Sequence, residues 1–385
     1  MAEATVEEEK SLMLKIAQIL NDASTSNATH NRKLKELSAL RSKTSSSSLF
    51  FSAFCKTLTP LFAFQRRTAS AERTVRFVSA FATARDSGPA SQCDAFLEDF
   101  LRFLLPVSAA ANRTHRFRAC QIVSSIILQL PDDAEVSSEL WDEVIDCMKL
   151  RAGDKVPVIR ISAVRALSRF ASDSENSDIL DLFLDMLPLE QTVEVRKTIV
   201  LSLPPSNVTA QAIIDSTLDV SESVRKAAYC VLASKFPLQS LSIKHRTLIL
   251  QRGLADRSVA VSSECLKLMK DEWLIKCCRG DPLELLKFLD VETYEFVGES
   301  VADALLKAGL IKVRDGENIR QYISSSDEMT EDSAHCTPSI QLMEAEVALY
   351  WRMICRHLQM EAQNGGEIIA DKLRHMKVEK VASGC

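Results

Sequence analysis

"DKVPVIRISAVRALSRFA", Asp154 to Ala171, places an acidic residue and a proline ahead of an arginine and a run of small and branched apolar residues. At about 100° per residue, Ile159, Ala163, Ala166, Leu167 and Phe170 share one arc, the buried stripe of an amphipathic helix. Pro157 belongs in the first turn, where a missing N–H does no harm. Arg160 lies at the margin of the stripe, whereas Arg165 and Arg169 project away from it. Periodicity therefore predicts one arginine tied to the fold and two that face solvent.

Weaker copies occur along the chain: "TVRFVSAFA" at Arg76, "RFRACQIVSSII" at Arg118, "EVRKTIVLSL" at Arg196 and "SVRKAAYCVLA" at Arg225. A sixth, "LADRSVAVSSECLKLM", has Ser262 in place of the arginine. The intervals of 42, 42, 36, 29 and 37 residues form an irregular period near 40. That period suits two-helix HEAT or armadillo units and is too loose for a propeller or ankyrin array. Six residues before the arginine position stand Ser70, Asn112, Asp154, Asp219 and Asp256. Side chains of this type satisfy free backbone N–H groups at the turn between two helices. Arg118, Arg160, Arg196 and Arg225 are accordingly expected to pair with turn carboxylates and tie one repeat to the next.

Composition agrees with an all-α chain. Only 10 of 385 residues are glycine and 11 are proline, and 46% are hydrophobic. The eleven cysteines have irregular spacing and no pair of CxxC motifs, which argues against zinc and for buried free thiols in a reducing compartment. The acidic start "MAEATVEEEK" and the lack of an apolar run of about 20 residues lead us to expect an intracellular protein with no membrane contact. No GxxxxGK[ST], GxGxxG, GxSxG or HExxH motif is present and the six histidines are scattered, so neither catalysis, a cofactor nor a small-molecule substrate is expected. The net charge is −5, yet Arg32 to Arg76 holds ten basic residues against Glu36 and Glu72, while Asp281 to Glu346 is strongly acidic. A basic region on an acidic chain suggests a local anionic partner.

Several blocks match more than a repeat consensus: "RFRACQ" (116 to 121), "LRAGDKVPVIRISAVRALSR" (150 to 169), "VRKAAYCVLA" (224 to 233), "LQRGLADRSVAV" (250 to 261), "LELLKFLDVE" (283 to 292) and "EVALYW" (346 to 351). In these the chain resembles the condensin G-subunit family of non-SMC HEAT-repeat proteins, in family order over roughly residues 50 to 358. The resemblance implies a HEAT-repeat α-solenoid that binds the condensin kleisin, and through it the SMC subunits. It further implies a basic groove gripping double-stranded DNA during mitotic chromosome condensation, in the nucleus and on mitotic chromosomes, with a cytoplasmic pool. Members of that family continue with many more repeats, so the chain is expected to be a short form. A HEAT adaptor that holds proteins and never touches DNA satisfies the repeat pattern equally well.

The expected organisation is N-terminal helices and polar loops over 1–48 and a solenoid over 49–323. An acidic, serine-rich loop expected to be disordered follows over 324–339, then a further solenoid helix over 340–363 and a divergent tail over 364–385. Non-specific DNA binding needs basic side chains spaced to reach successive phosphates. The candidates are Arg66, Arg67 and Arg73, then Arg113 and Arg116, extended by Arg165, Arg169, Lys197 and Lys226. Ser325 and Thr337 fit short phosphorylation patterns in the acidic loop.

Overall fold

The computed structural model describes residues 2–64, 67–84, 95–131, 134, 136–311 and 344–363. Among them the regular elements are all helical. The chain divides into two compact units, one ending at Pro204 and the other beginning at Pro205.

The first unit opens with α1 (Ala2–Thr25) and α2 (His30–Lys43) and continues with four helix pairs. These are α3 (Ser47–Ala63) with α4 (Ala69–Ala82), α5 (Ala95–Ser108) with α6 (Arg113–Gln129), α7 (Ser138–Ala152) with α8 (Pro157–Leu167), and α9 (Ser177–Leu189) with α10 (Val193–Ser202). The second helices of successive pairs, α4, α6, α8 and α10, pack side by side, and α1 covers α3 and α4. This is the stacking of a HEAT-type α-solenoid, in which each pair buries its apolar stripe against its neighbours.

The opening stretch forms α8, with Pro157 at its first position and Ile159, Ala163, Ala166, Leu167 and Phe170 buried. Asp154 accepts the Val156 N–H at 2.9 Å and so satisfies one of the free donors at the helix start. The N-terminal segment 1–48, expected to hold polar loops, is largely helical, because its serines act as caps. Ser26 accepts the Ala28 N–H after α1 and Ser46 the Leu49 N–H before α3, leaving only residues 44–46 between α2 and α3. Beneath these helices Phe50 and Phe54 of α3, Phe81 of α4 and Phe96 and Phe100 of α5 form an aromatic core, with ring centroids 5.2 Å apart for Phe81 and Phe96. Each fully buried phenyl ring contributes roughly 1.5–3 kcal/mol.

The second unit holds α11 (Asn207–Ser216) with α12 (Glu222–Lys235) and α13 (Ile243–Leu254) with α14 (Val259–Lys267), then α15 (Pro282–Lys287), α16 (Glu295–Lys307) and α17 (Ala345–Gln363). After α14 the backbone widens into a π-helical stretch, Leu268–Cys277, where the Cys278 N–H reaches the Trp273 carbonyl five residues back. Trp273 is fully buried there. Close packing of α13 requires Gly253, since a Cβ at that position would strike Cys265 Sγ and the Tyr229 hydroxyl. In α17, Val347, Leu349, Met353 and Ile354 are buried, and Tyr350 and Trp351 are half-buried.

Candidate nucleic-acid interface

The basic side chains divide according to what already holds their N–H groups. Four residues after the N-caps Asn112, Val156, Thr192 and Ser221 stand Arg116, Arg160, Arg196 and Arg225. Each sends Nη1 back to carbonyls of the turn between its own pair's two helices. Arg116 reaches Ala110 and Ala111, Arg160 reaches Asp154, Arg196 reaches Glu190 and Gln191, and Arg225 reaches Asp219 and Val220, all at 2.8–3.2 Å. Three of them then fork onto a carboxylate of the following pair: Arg116 on Asp154 (2.9 Å), Arg160 on Glu190 (2.8 and 2.7 Å) and Arg225 on Asp256 (2.7 and 2.9 Å).

Those carboxylates do double work, because each also accepts a backbone N–H at the start of its own second helix. Burial pushes Asp154 up, but hydrogen bonds from Arg116 and the Val156 N–H outweigh it and hold the carboxyl below its ordinary range. Glu190 is lowered in the same way by Arg160 and the Thr192 N–H. In Asp256 the Arg225 hydrogen bond dominates and burial opposes it.

The structure corrects five expectations. Arg116 is the repeat arginine of its copy and not a free cation, so the register of that copy moves by two residues. Arg118, placed there by periodicity, is instead fully buried and donates to Gln121 Oε1 at 2.7 Å, with Glu72 at 3.5 Å and the Phe117 ring beneath it. The cap of that copy's helix is Asn112 itself, and in the first copy it is Thr68 and not Ser70. Arg169 does not face solvent: α8 ends at Leu167, so the helical projection fails beyond it, and the guanidinium turns onto the Ile127, Leu130 and Pro131 carbonyls at the end of α6. Half-buried Arg73 likewise donates to the Ser24 carbonyl at the end of α1 (3.0 Å).

What remains exposed is a smaller set. Arg67 lies in the turn before α4 with its side chain 58% exposed. Arg113 opens α6 and Arg165 projects from α8; both are exposed with no ion pair among the described residues. Lys197 and Lys226, one residue beyond Arg196 and Arg225, have only loose partners, Glu194 at 3.8 Å and Glu264 at 3.5 Å. Residue-by-residue reading missed Lys155, exposed and unpaired in the turn before α8. Its signal was available, since it directly follows the turn carboxylate Asp154. Arg67, Arg113 and Lys155 thus mark three successive pairs of the first unit, in the turns of α3/α4 and α7/α8 and at the start of the second helix of α5/α6. Arg66, Ser325 and Thr337, with the acidic loop 324–339 and the tail 364–385, lie outside the described residues.

Other chemistry is sparse. Among the described residues no three His, Cys, Asp or Glu side chains converge on a point where a metal could sit, and no helix is long and apolar enough to cross a membrane. Burial pushes the thiols of Cys55, Cys120 and Cys265 up to about 12.

No family model matches the chain. Condensin complex subunit 3 of Xenopus laevis is 32% identical over 368 residues, covering 94% of this chain and 34% of that protein. The protein of the same name from Homo sapiens is 30% identical over 317 residues, 79% of this chain and 29% of its own length, and the Schizosaccharomyces pombe one is 28% identical over 278 residues. The chain spans about a third of the length of the curated relatives it matches. Among solved structures, the S. pombe condensin Cnd3–Cnd2 subcomplex superposes with a TM-score of 0.74 at 24% identity, over 93% of this chain and 43% of that one. That likeness shows the α-solenoid fold.

Proposed function

The chain is a homologue of condensin complex subunit 3 over nearly its whole length, and on that premise we propose that it is a non-catalytic regulatory subunit of condensin. In this reading it binds the kleisin, meets the SMC subunits through it, and holds double-stranded DNA without reading sequence. Its place is then the nucleus and the mitotic chromosome, with a cytoplasmic pool. The observation that carries the DNA arm is the row of exposed cations, Arg67, Arg113 and Lys155, on successive pairs of the first unit. Cations spaced along a rigid edge can meet successive phosphates, and each contact releases counterions. Arg165 and Lys197 extend the set along the second helices of the first unit, and Lys226 holds the place on α12 of the second unit that Lys197 holds on α10.

The test is co-purification with the condensin kleisin followed by a duplex shift at two salt concentrations. Retention of kleisin and a steep loss of DNA binding at the higher salt are expected; failure to hold kleisin, or a flat salt response, counts against the reading.

The rival reading, an adaptor for proteins alone, draws on exposed apolar residues at the turns of the second unit. Val220 and Val259 are 85% and 79% exposed. The R67A variant separates the two, because it weakens DNA retention only if the first reading holds.

A further inference from the structure

We propose that Glu72 is a positioning residue that fixes Arg67 as a preformed contact for a DNA phosphate. The proposal rests on the DNA-binding reading above and goes beyond it by assigning a role to a residue of the wrong sign for DNA.

Glu72 stands four residues after the N-cap Thr68 of α4, the position that carries a guanidinium in α6, α8, α10 and α12. Reversing the charge there reverses the tie. The carboxylate now sits on the earlier pair, and its partners come from α6 of the next. Gln121 Nε2 donates to Glu72 Oε2 at 2.7 Å, and Arg118 Nη1 stands 3.5 Å from Oε1. Arg118 is itself wholly buried, so this corner of the carboxylate is anchored in the core.

The same Oε1 accepts from Arg67 Nε at 3.3 Å. The Arg67 guanidinium lies 5.9 Å from the centroid of the Phe117 ring, which also carries Arg118 at 5.0 Å. Arg67 is therefore held through Nε and by one aromatic ring, while Nη1 and Nη2 carry no bond among the described residues. A guanidinium held at its inner nitrogen presents its outer fork ready-made, and it loses less rotamer freedom when a phosphate arrives.

Plain electrostatics gives the opposite expectation. A carboxylate beside a phosphate contact repels DNA, so neutralising it should tighten binding. The two accounts differ in sign, and a double-mutant cycle on the full chain decides between them.

Wild type, R67A, E72Q and R67A/E72Q are titrated with a short duplex of arbitrary sequence over a series of salt concentrations. R67A is expected to flatten the slope of log affinity against log salt by about 0.9. E72Q is expected to weaken binding about threefold, the size of a half-exposed ion pair, despite removing a negative charge. In the R67A background E72Q should leave binding unchanged or tighten it.

If R67A weakens binding while E72Q leaves it equal or tighter, the positioning role falls and the DNA reading stands. If E72Q weakens binding equally with and without Arg67, Glu72 serves only to hold Arg118 and the fold, and the proposal is overturned. If R67A binds as wild type does, the DNA contact itself fails and takes the proposal with it.

Discussion

The two units share one frame and differ in what they hang on it. In both, an arginine four residues after the N-cap binds the carbonyls of its own turn, and a capping carboxylate of the next pair receives its fork: Arg116 and Arg160 in the first unit, Arg225 in the second. At the solvent edge of the same turns the first unit sets Arg67, Arg113 and Lys155, whereas the second sets Leu218, Val220 and Val259 beside the exposed Arg257, which follows Asp256 as Lys155 follows Asp154. The frame constrains the positions that must satisfy backbone groups. It leaves the neighbouring positions free, and that freedom lets one scaffold carry a cationic edge in one unit and a largely apolar edge with Arg257 in the other.

The largest effect should come from breaking the frame. R160A in the first unit and R225A in the second each leave a nearly buried carboxylate without its counter-charge, and each should cost about 3 kcal/mol in chemical denaturation. Equal losses would show that the frame is common to both units; a loss in one alone would break the comparison.

Acid probes the same ties. Asp154, Glu190 and Asp256 have carboxyls lowered in the folded chain from ordinary values of 3.8, 4.5 and 3.8. Their contribution to stability is therefore fully present above those ordinary values and is lost as pH falls through the lowered ones. Thermal melts should be flat near neutrality and fall below about pH 4.5, and R225A should show a shallower fall because Asp256 has lost its partner.

A smaller loss, about 1–3 kcal/mol, is expected for R169A, which strips a guanidinium from three carbonyls at the end of α6. The salt slope of DNA binding should not move, since Arg169 is occupied by the fold. A changed slope would return Arg169 to the set of DNA contacts.

Least visible in stability is the edge itself. R113A and K155A should each alter unfolding by less than about 0.5 kcal/mol, while each flattens the salt slope by about 0.9. V220D with V259D, the matching change on the second unit, should leave that slope unchanged; a response there would erase the distinction between the edges.

Much of the frame was legible in the sequence. The six-residue spacing of Asp154 to Arg160 and of Asp219 to Arg225 records a turn in which the carbonyl of the acidic residue meets the arginine. The block "NRTHRFRACQ" misled because it offers arginines two residues apart, and apolar periodicity alone selects Arg118. The cap Asn112 selects Arg116, but a cap is recognisable only once the helix start is known. Arg169 misled for a related reason, since a helical wheel carries no information about where the helix stops.

The sequence by itself determined the all-α class, the pairing of helices and the basic side chains on offer, because these follow from local periodicity and composition. Only the tertiary structure decided which cations remain free. Whether an arginine faces solvent or spends its donors on a carbonyl or carboxylate about 40 residues away depends on how the pairs stack, as Arg169 on the Ile127 carbonyl and Arg116 on the Asp154 carboxylate demonstrate. It also decided that Glu72, on sequence merely an acid in a basic stretch, stands between Arg67, Arg118 and Gln121.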